Sequence, residues 1–229
     1  TGAANTAVGK SAGGALTTAN DCTYVGEGCF SSATTGSDNV GVGQNAGNNT
    51  TDGYRNTFVG ESAGARNTTG FRNTCIGDIA MASYGQTGSN NTVIGYNAQL
   101  ASDSTSNNIV LGDNNISNLR CQQTSIDGLS DVRDKTDIID SIYGLDVINT
   151  IRPRQFTWAM REPSVNDGKT ELGFIAQELD EDLGEKNNII RAVDKENPEK
   201  LYASYGRLVP ILVKAIQELS AKVTALEAG

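Results

Sequence analysis

The first half of the sequence repeats a glycine-centred motif about every 17 residues. The segments read NTAVGKSAG (5–13), CTYVGEGCF (22–30), NVGVGQNAG (39–47), NTFVGESAG (56–64), NTCIGDIAM (73–81), NTVIGYNAQ (91–99) and NIVLGDNNI (108–116). Successive central glycines are 17 residues apart, except for one interval of 18. One unit of this size buries too little surface to fold alone, so the period predicts a β-solenoid or β-roll of seven stacked repeats.

Individual positions of the repeat have separate physical roles. The residue before each glycine is aliphatic and the residue two positions earlier is Thr, Val or Ile. Residues two apart share one face of a strand, so we expect these two positions to face inward. The variable position between them, with Tyr24 and Phe58, is then expected to face outward. Four residues before the glycine, six of seven repeats have Asn, which predicts a ladder of stacked Asn side chains.

Other positions indicate tight packing. The central glycine is expected where the chain turns and a Cβ would not fit. Three residues later the sequence mostly has Ala, and Cys29 in that position favours a small buried apolar residue over a metal ligand. We expect Cys22, Cys29, Cys75 and Cys121 to be reduced thiols.

Composition changes near residue 130. Residues 1–129 contain 14 charged side chains and residues 130–229 contain 31. This predicts a repeat domain over 1–129 and a second, α+β domain over 130–229. The absence of His excludes His-based catalysis and metal binding, and we expect neither a metal nor a cofactor. The net charge of −9 argues against a nucleic-acid partner, and no apolar run of about 18 residues predicts membrane insertion.

Four segments of the second half occur in an order that resembles a known family. They are SDVRDKTDI (130–138), IRPRQFTW (151–158), GFIAQEL (173–179) and YASYGRLVPILVKAIQEL (202–219). Together they resemble the intramolecular chaperone of endosialidase tailspikes and phage neck appendages, peptidase family S74. The resemblance implies homotrimer assembly and self-cleavage between Leu129 and Ser130. It also implies a catalytic Ser130–Lys135 pair, with Asp131 and Arg133 completing the motif.

A Ser–Lys pair is chemically reasonable in a chain without His. A desolvated, neutral lysine can accept the proton of a serine hydroxyl. Residues five apart lie on different faces of a helix and on opposite faces of a strand. Ser130 and Lys135 of one chain therefore meet only through a bend, or else Lys135 reaches Ser130 of a neighbouring chain. Spacing alone favours the alternative in which Ser130 is a helix cap or turn residue and Lys135 is solvated.

The C-terminal segment shows a heptad pattern. Apolar residues alternate at spacings of three and four, which predicts a coiled-coil helix over residues 207–228. Pro210 fits only in the first turn, so the helix is expected to begin near Arg207–Val209. The predicted seam consists of Val209, Leu212, Ile216, Leu219, Val223 and Leu226. These residue types favour a dimer in isolation, but we expect the preceding domains to impose a trimer. The alternative is a helix packed on its own domain.

The repeats resemble the heads of trimeric bacterial adhesins and the shafts of phage fibres. This implies a virion fibre or appendage that contacts a glycan or protein receptor on the host surface. Tyr84, Tyr96 and Phe71 are the candidate binding residues, and the loop around Met81–Gly88, which contains the extra residue, is the first place to test.

Three functions remain open from the sequence. The first is a phage fibre tip with a self-cleaving chaperone, in which Ser–Lys proteolysis acts once and on no external substrate. The second is a trimeric surface adhesin that retains its chaperone-like domain. The third is a carbohydrate-active enzyme fused to the chaperone, for which the repeat leaves little room.

Overall fold

The structure is a computed structural model of the chain. It describes residues 2–83, 85–113, 115–116, 119–120, 122, 130–159, 161, 168–199 and 201–229. The chain divides into two compact units, Thr1–Ile116 and Ser117–Gly229. The predicted mixed fold, a β-solenoid followed by an α+β region with a long C-terminal helix, is confirmed.

Seven short parallel strands form one sheet in the first unit, each paired with the next along the chain. The strands are β1 (Thr6–Val8), β2 (Thr23–Val25), β3 (Val40–Val42), β4 (Thr57–Val59), β5 (Thr74–Ile76), β6 (Thr92–Ile94) and β7 (Ile109–Leu111). Equivalent repeat positions pair directly, for example Phe58 with Cys75. The sequence period therefore fixes the register of the sheet.

The expected inward face of these strands was wrong. The middle residue of the inner strands faces the interior: Tyr24, Phe58, Cys75 and Val93 are fully buried, whereas the middle residue of the terminal strand β1 is exposed. The flanking Thr and aliphatic residues are exposed or half-buried in the single chain. Tyr24 and Phe58, expected outside, lie in the core.

Side-chain size in the interior varies because neighbouring rungs compensate for one another. The rings of Tyr24, Phe30 and Phe58 stack at centroid distances of 4.6 and 5.4 Å. Gly41 occupies the middle position of β3, and a Cβ there would lie 2.7 Å from the Phe30 ring. A variable position can thus be a core position, whereas the uniform aliphatic positions form a continuous exposed stripe.

The central glycines have the predicted role. Gly43 has a φ of 136°, and a Cβ on it would lie 2.3 Å from the carbonyl oxygen of Gly60 in the next rung. Only glycine tolerates both the conformation and the close approach. The small position three residues later is buried, as expected for Cys29 and Ala46.

The Asn ladder forms along the solenoid axis. The Oδ1 atom of Asn56 accepts a hydrogen bond from the backbone N–H of Asn73 at 2.9 Å, and its Nδ2 donates to the Gly70 carbonyl at 2.9 Å. Asn39, Asn73 and Asn91 repeat this arrangement. Each side chain therefore bonds to the backbone of the next rung and satisfies buried polar groups that the narrow core could not otherwise satisfy.

The second unit combines short helices with two small sheets. Its helices are α1 (Leu145–Ile148), α2 (Ala176–Leu183), α3 (Asn187–Ile190) and α4 (Val209–Glu227). Its antiparallel strand pairs are β8 (Arg154–Thr157) with β9 (Thr170–Gly173), and β10 (Val193–Asp194) with β11 (Tyr202–Ala203). A 3-10 turn over Tyr205–Leu208 leads into α4, which has Pro210 in its first turn as predicted.

Helix α4 presents different faces to its own unit and to solvent. Leu208 and Ile211 belong to the core of the second unit, with Val147, Leu179 and Ile190. Further along, Glu218 accepts a hydrogen bond from the N–H of Leu145 at 2.9 Å. The helix therefore packs on its own domain mainly through Ile211 and Glu218, which lie outside the predicted heptad seam.

Candidate functional site

Ser130 and Lys135 meet within one chain. The Lys135 Nζ lies 2.6 Å from the Ser130 Oγ and 3.2 Å from the Ser130 carbonyl oxygen. Of the two arrangements that the five-residue spacing allowed, the structure shows the one that uses a bend. Both side chains are exposed in the single chain.

A short 3-10 turn over Val132–Asp134 produces this bend. Asp131 caps the turn: its Oδ1 accepts a hydrogen bond from the Arg133 N–H at 2.9 Å. The Lys135 N–H closes the turn on the Val132 carbonyl. The sequence Ser-Asp-Val-Arg-Asp-Lys therefore folds back locally and returns the lysine to the serine.

The Asp131 carboxylate binds Arg133. Its Oδ2 lies 2.6 Å from the Arg133 guanidinium, which also donates to Oδ1 at 3.0 Å. These hydrogen bonds hold the pKa of Asp131 below its usual range. Asp131 was grouped with the catalytic residues from the sequence, and in the structure its oxygens are engaged in shaping the turn.

The remaining predicted site residues lie in separate places. Three of the residues singled out in the sequence lie outside the described residues: Tyr84, Cys121 and Leu129, the last of which is on the acyl side of the predicted cut. Tyr96 is 64% exposed and directly follows Gly95. Phe71 lies in the loop before β5, where Tyr54 stacks on its ring at a centroid distance of 4.9 Å. The structure therefore does not gather Tyr96 and Phe71 into one pocket.

The predicted heptad seam is exposed in the single chain, although Leu212 also lines an apolar groove with Ile148 and Phe174. All six of its residues are exposed, from Leu212 at 43% to Leu226 at 82%. A second apolar surface follows the outer face of strands β1–β7, exposed throughout except at the half-buried Val59. We call it the aliphatic stripe, and it consists of Val8, Val25, Val42, Val59, Ile76, Ile94 and Leu111.

The sequence analysis missed the aliphatic stripe as a surface. The signal was present, because residues that repeat with almost no variation are typical of a surface contacting a uniform partner, while a filled interior can vary. The repeat and family motifs likewise give no sign of the exposed isoleucines Ile138, Ile139 and Ile142 after Lys135.

Two kinds of site have no support in the described part of the chain. Cys22, Cys29 and Cys75 are buried free thiols, and no group of three or more His, Cys, Asp or Glu side chains there is arranged to hold a metal ion. No helix among the described residues has the length and apolarity needed to cross a bilayer.

Comparison with known families gives one match. Residues 130–197 match the family model Peptidase_S74, described as the chaperone of endosialidase. The match starts at Ser130 and ends at Asn197, before helix α4, so it is shorter than the resemblance over 130–229. Searches of curated proteins and of solved structures each found no match. The family match and the β-solenoid together fit a phage fibre-like protein with an endosialidase-type chaperone segment.

Proposed function

We propose that this chain is part of a phage fibre or appendage, carried on the virion, whose C-terminal region directs homotrimer assembly. That region is then released by self-cleavage between Leu129 and Ser130. The observation that carries the proposal is the 2.6 Å contact between the Lys135 Nζ and the Ser130 Oγ at the first residue of the family match.

Cleavage proceeds by attack of Ser130 on the peptide bond that precedes it. The neutral Lys135 amine accepts the Oγ proton as Oγ adds to the Leu129 carbonyl carbon. Collapse of the adduct breaks the C–N bond, returns the proton to the Ser130 nitrogen and leaves the Leu129 acyl group as an ester on Oγ. Water then hydrolyses the ester, which restores the serine and leaves a carboxylate on Leu129.

Exposure of the pair links this chemistry to assembly. A lysine acts as a base when desolvation disfavours its charged form. In the single chain Ser130 and Lys135 face solvent, so a neighbouring chain has to supply the desolvation. Cleavage is then a single-turnover maturation step that follows correct assembly, and monomeric chains remain uncut.

Asp131 is a positioning residue in this proposal. Its carboxylate is bound to Arg133 and caps the turn that returns Lys135 to Ser130. Its loss lowers the rate by misplacing Lys135, and no proton passes through it.

Two free apolar surfaces support the homotrimer. The aliphatic stripe crosses seven adjacent strands, about 29 Å at the usual strand spacing. The heptad seam lies along the exposed side of α4. Contiguous exposed apolar surfaces of this kind mark sites of association. Trimer formation buries both.

Host-surface attachment by the cleaved solenoid is the remaining part of the proposal. Tyr96 is 64% exposed and available for stacking on a sugar. Labelled, cleaved trimer should bind host cells, and a Tyr96→Ala variant should bind less without a change in its oligomeric state. Unchanged binding by this variant would exclude Tyr96 from the receptor site.

The cleavage proposal is tested by a matched set of variants of the full chain. Lys135→Met and Ser130→Ala should leave one band on a denaturing gel, whereas wild type gives two. Lys214→Met, a lysine variant in α4, should still give two bands. A single intact wild-type band would instead support the adhesin that retains its chaperone-like domain.

A further inference from the structure

An exposed isoleucine segment directly follows the Ser130–Lys135 turn. We call residues 136–142 the isoleucine segment. Its three isoleucines are exposed: Ile138 at 65%, Ile139 at 81% and Ile142 at 74%. Among the described residues, Thr136–Asp140 form no backbone–backbone hydrogen bond. A segment with free backbone groups and exposed β-branched side chains is typical of a chain that docks on another surface.

The same unit has an open apolar groove. It encloses about 240 Å³ and is lined by apolar and aromatic side chains of α1, the turn after it, the residue after β9 and the start of α4. The lining includes Ile148, Ile151, Phe174, Leu208 and Leu212. Leu212 also belongs to the heptad seam, so the groove is continuous with the predicted trimer interface.

The charges near the two surfaces are complementary. Asp137 and Asp140 flank the isoleucines, and neither forms an ion pair in the described part of the chain. Arg207 directly precedes the groove residue Leu208 and is likewise without an ion pair there. Opposite charges beside an apolar contact favour one orientation of docking.

We propose that the isoleucine segment of one chain docks in the apolar groove of a neighbouring chain in the trimer. This rests on the proposed homotrimer and adds a specific contact to it. Because the segment begins one residue after Lys135, docking holds the Ser130–Lys135 pair against the neighbour. Seating of the segment then supplies the desolvation that the exposed pair lacks.

Cross-linking tests the contact directly. Ile139→Cys and Ile148→Cys are introduced on separate full-length chains in a Cys121→Ser, Ser130→Ala background, where Cys22, Cys29 and Cys75 are buried. The two chains are co-expressed and oxidised. The proposal predicts a disulfide-linked heterodimer on a non-reducing denaturing gel. A cross-linked monomer from the double variant, with no heterodimer from the mixture, would show docking within one chain and overturn the proposal.

A charge substitution with a matched control measures the effect. Ile139→Asp should reduce the cleaved fraction at least about tenfold, because it places a carboxylate in an apolar groove. Leu172→Asp is the control, since Leu172 is also 81% exposed and lies on β9. Equal losses in both variants, or no loss in Ile139→Asp, would refute the docking.

The outcomes separate this inference from the proposed function. If light scattering shows a trimer but oxidation gives no heterodimer, the docking contact is refuted and the proposed homotrimer is retained. If oxidation gives the heterodimer in the Ser130→Ala background but the wild-type chain stays uncut, the docking contact is supported and the self-cleavage is refuted.

Discussion

Replacement of Phe58 by alanine tests which face of the solenoid strands is the core. Phe58 is fully buried and stacks on Phe30. Cβ atoms built on Gly47 and Gly64 would lie 2.8 and 2.7 Å from its ring, so no neighbouring side chain at these positions fills the space it leaves. Large-to-small changes of this type cost about 3–5 kcal/mol, and an uncollapsed cavity favours the upper end of that range.

The measurement is guanidinium unfolding of the Ser130→Ala chain at two protein concentrations. Phe58→Ala should lower the free energy of unfolding by a similar amount at both. The control is Val42→Ala on the aliphatic stripe, where the side chain is 40% exposed. Val42→Ala should change the free energy of unfolding of the single chain little. Its effect should instead appear as weaker assembly, which depends on protein concentration. If Val42→Ala is as destabilising as Phe58→Ala at every concentration, the outward assignment of the stripe is wrong.

Three further predictions follow from single contacts. Asn56→Ala removes a buried hydrogen-bond acceptor and donor and should lower the free energy of unfolding in denaturant by about 1–3 kcal/mol. The control Gln44→Ala, at an exposed position, should change it by no more than about 0.5 kcal/mol. Equal effects of the two variants would show that the Asn ladder does not stabilise the solenoid. Burial raises the pKa of Cys29 to about 11, so mass spectrometry should find no alkylation at pH 8 in the folded protein and full alkylation after unfolding; rapid reaction in the folded protein would contradict a closed interior. Cleavage after refolding should become faster as pH rises, because the lysine base acts in its neutral form, and a rate that falls at alkaline pH would exclude it. The depressed pKa of Asp131 adds a second effect: its contribution to the turn is present above its unfolded pKa and is lost as pH falls through the lower folded value.

The repeat period gave most of the solenoid from sequence. It predicted the stacked rungs, the glycine turns and the recurring Asn positions, because each depends on the backbone of one rung meeting the same backbone in the next. The sequence period did not predict which side chains of each strand point into the core. Regular Val and Ile positions predict a core at those positions, whereas the core is filled by Tyr24, Phe30 and Phe58 around Gly41. That compensation between rungs depends on the three-dimensional positions of the aromatic rings, which the repeat pattern does not contain.

The second half shows the same division between local and long-range information. Pro210 placed the start of α4 correctly, since a helix start is a property of one local segment, and the heptad seam stays a prediction. The contact of Glu218 with the Leu145 N–H joins residues far apart in sequence, and no pattern predicted it. Spacing left two arrangements for Ser130 and Lys135. The Asp131 cap and the 3-10 turn supply the bend that spacing alone could not.

The mass of the products from the wild-type chain tests self-cleavage at Ser130 most directly. After assembly and denaturation, intact-mass analysis of the 229-residue chain should find a C-terminal product whose first residue is Ser130, together with its N-terminal complement. The Ser130→Ala chain should show only the uncut mass of 24.1 kDa. Uncut wild-type trimer, or a product with a different first residue, would contradict the account.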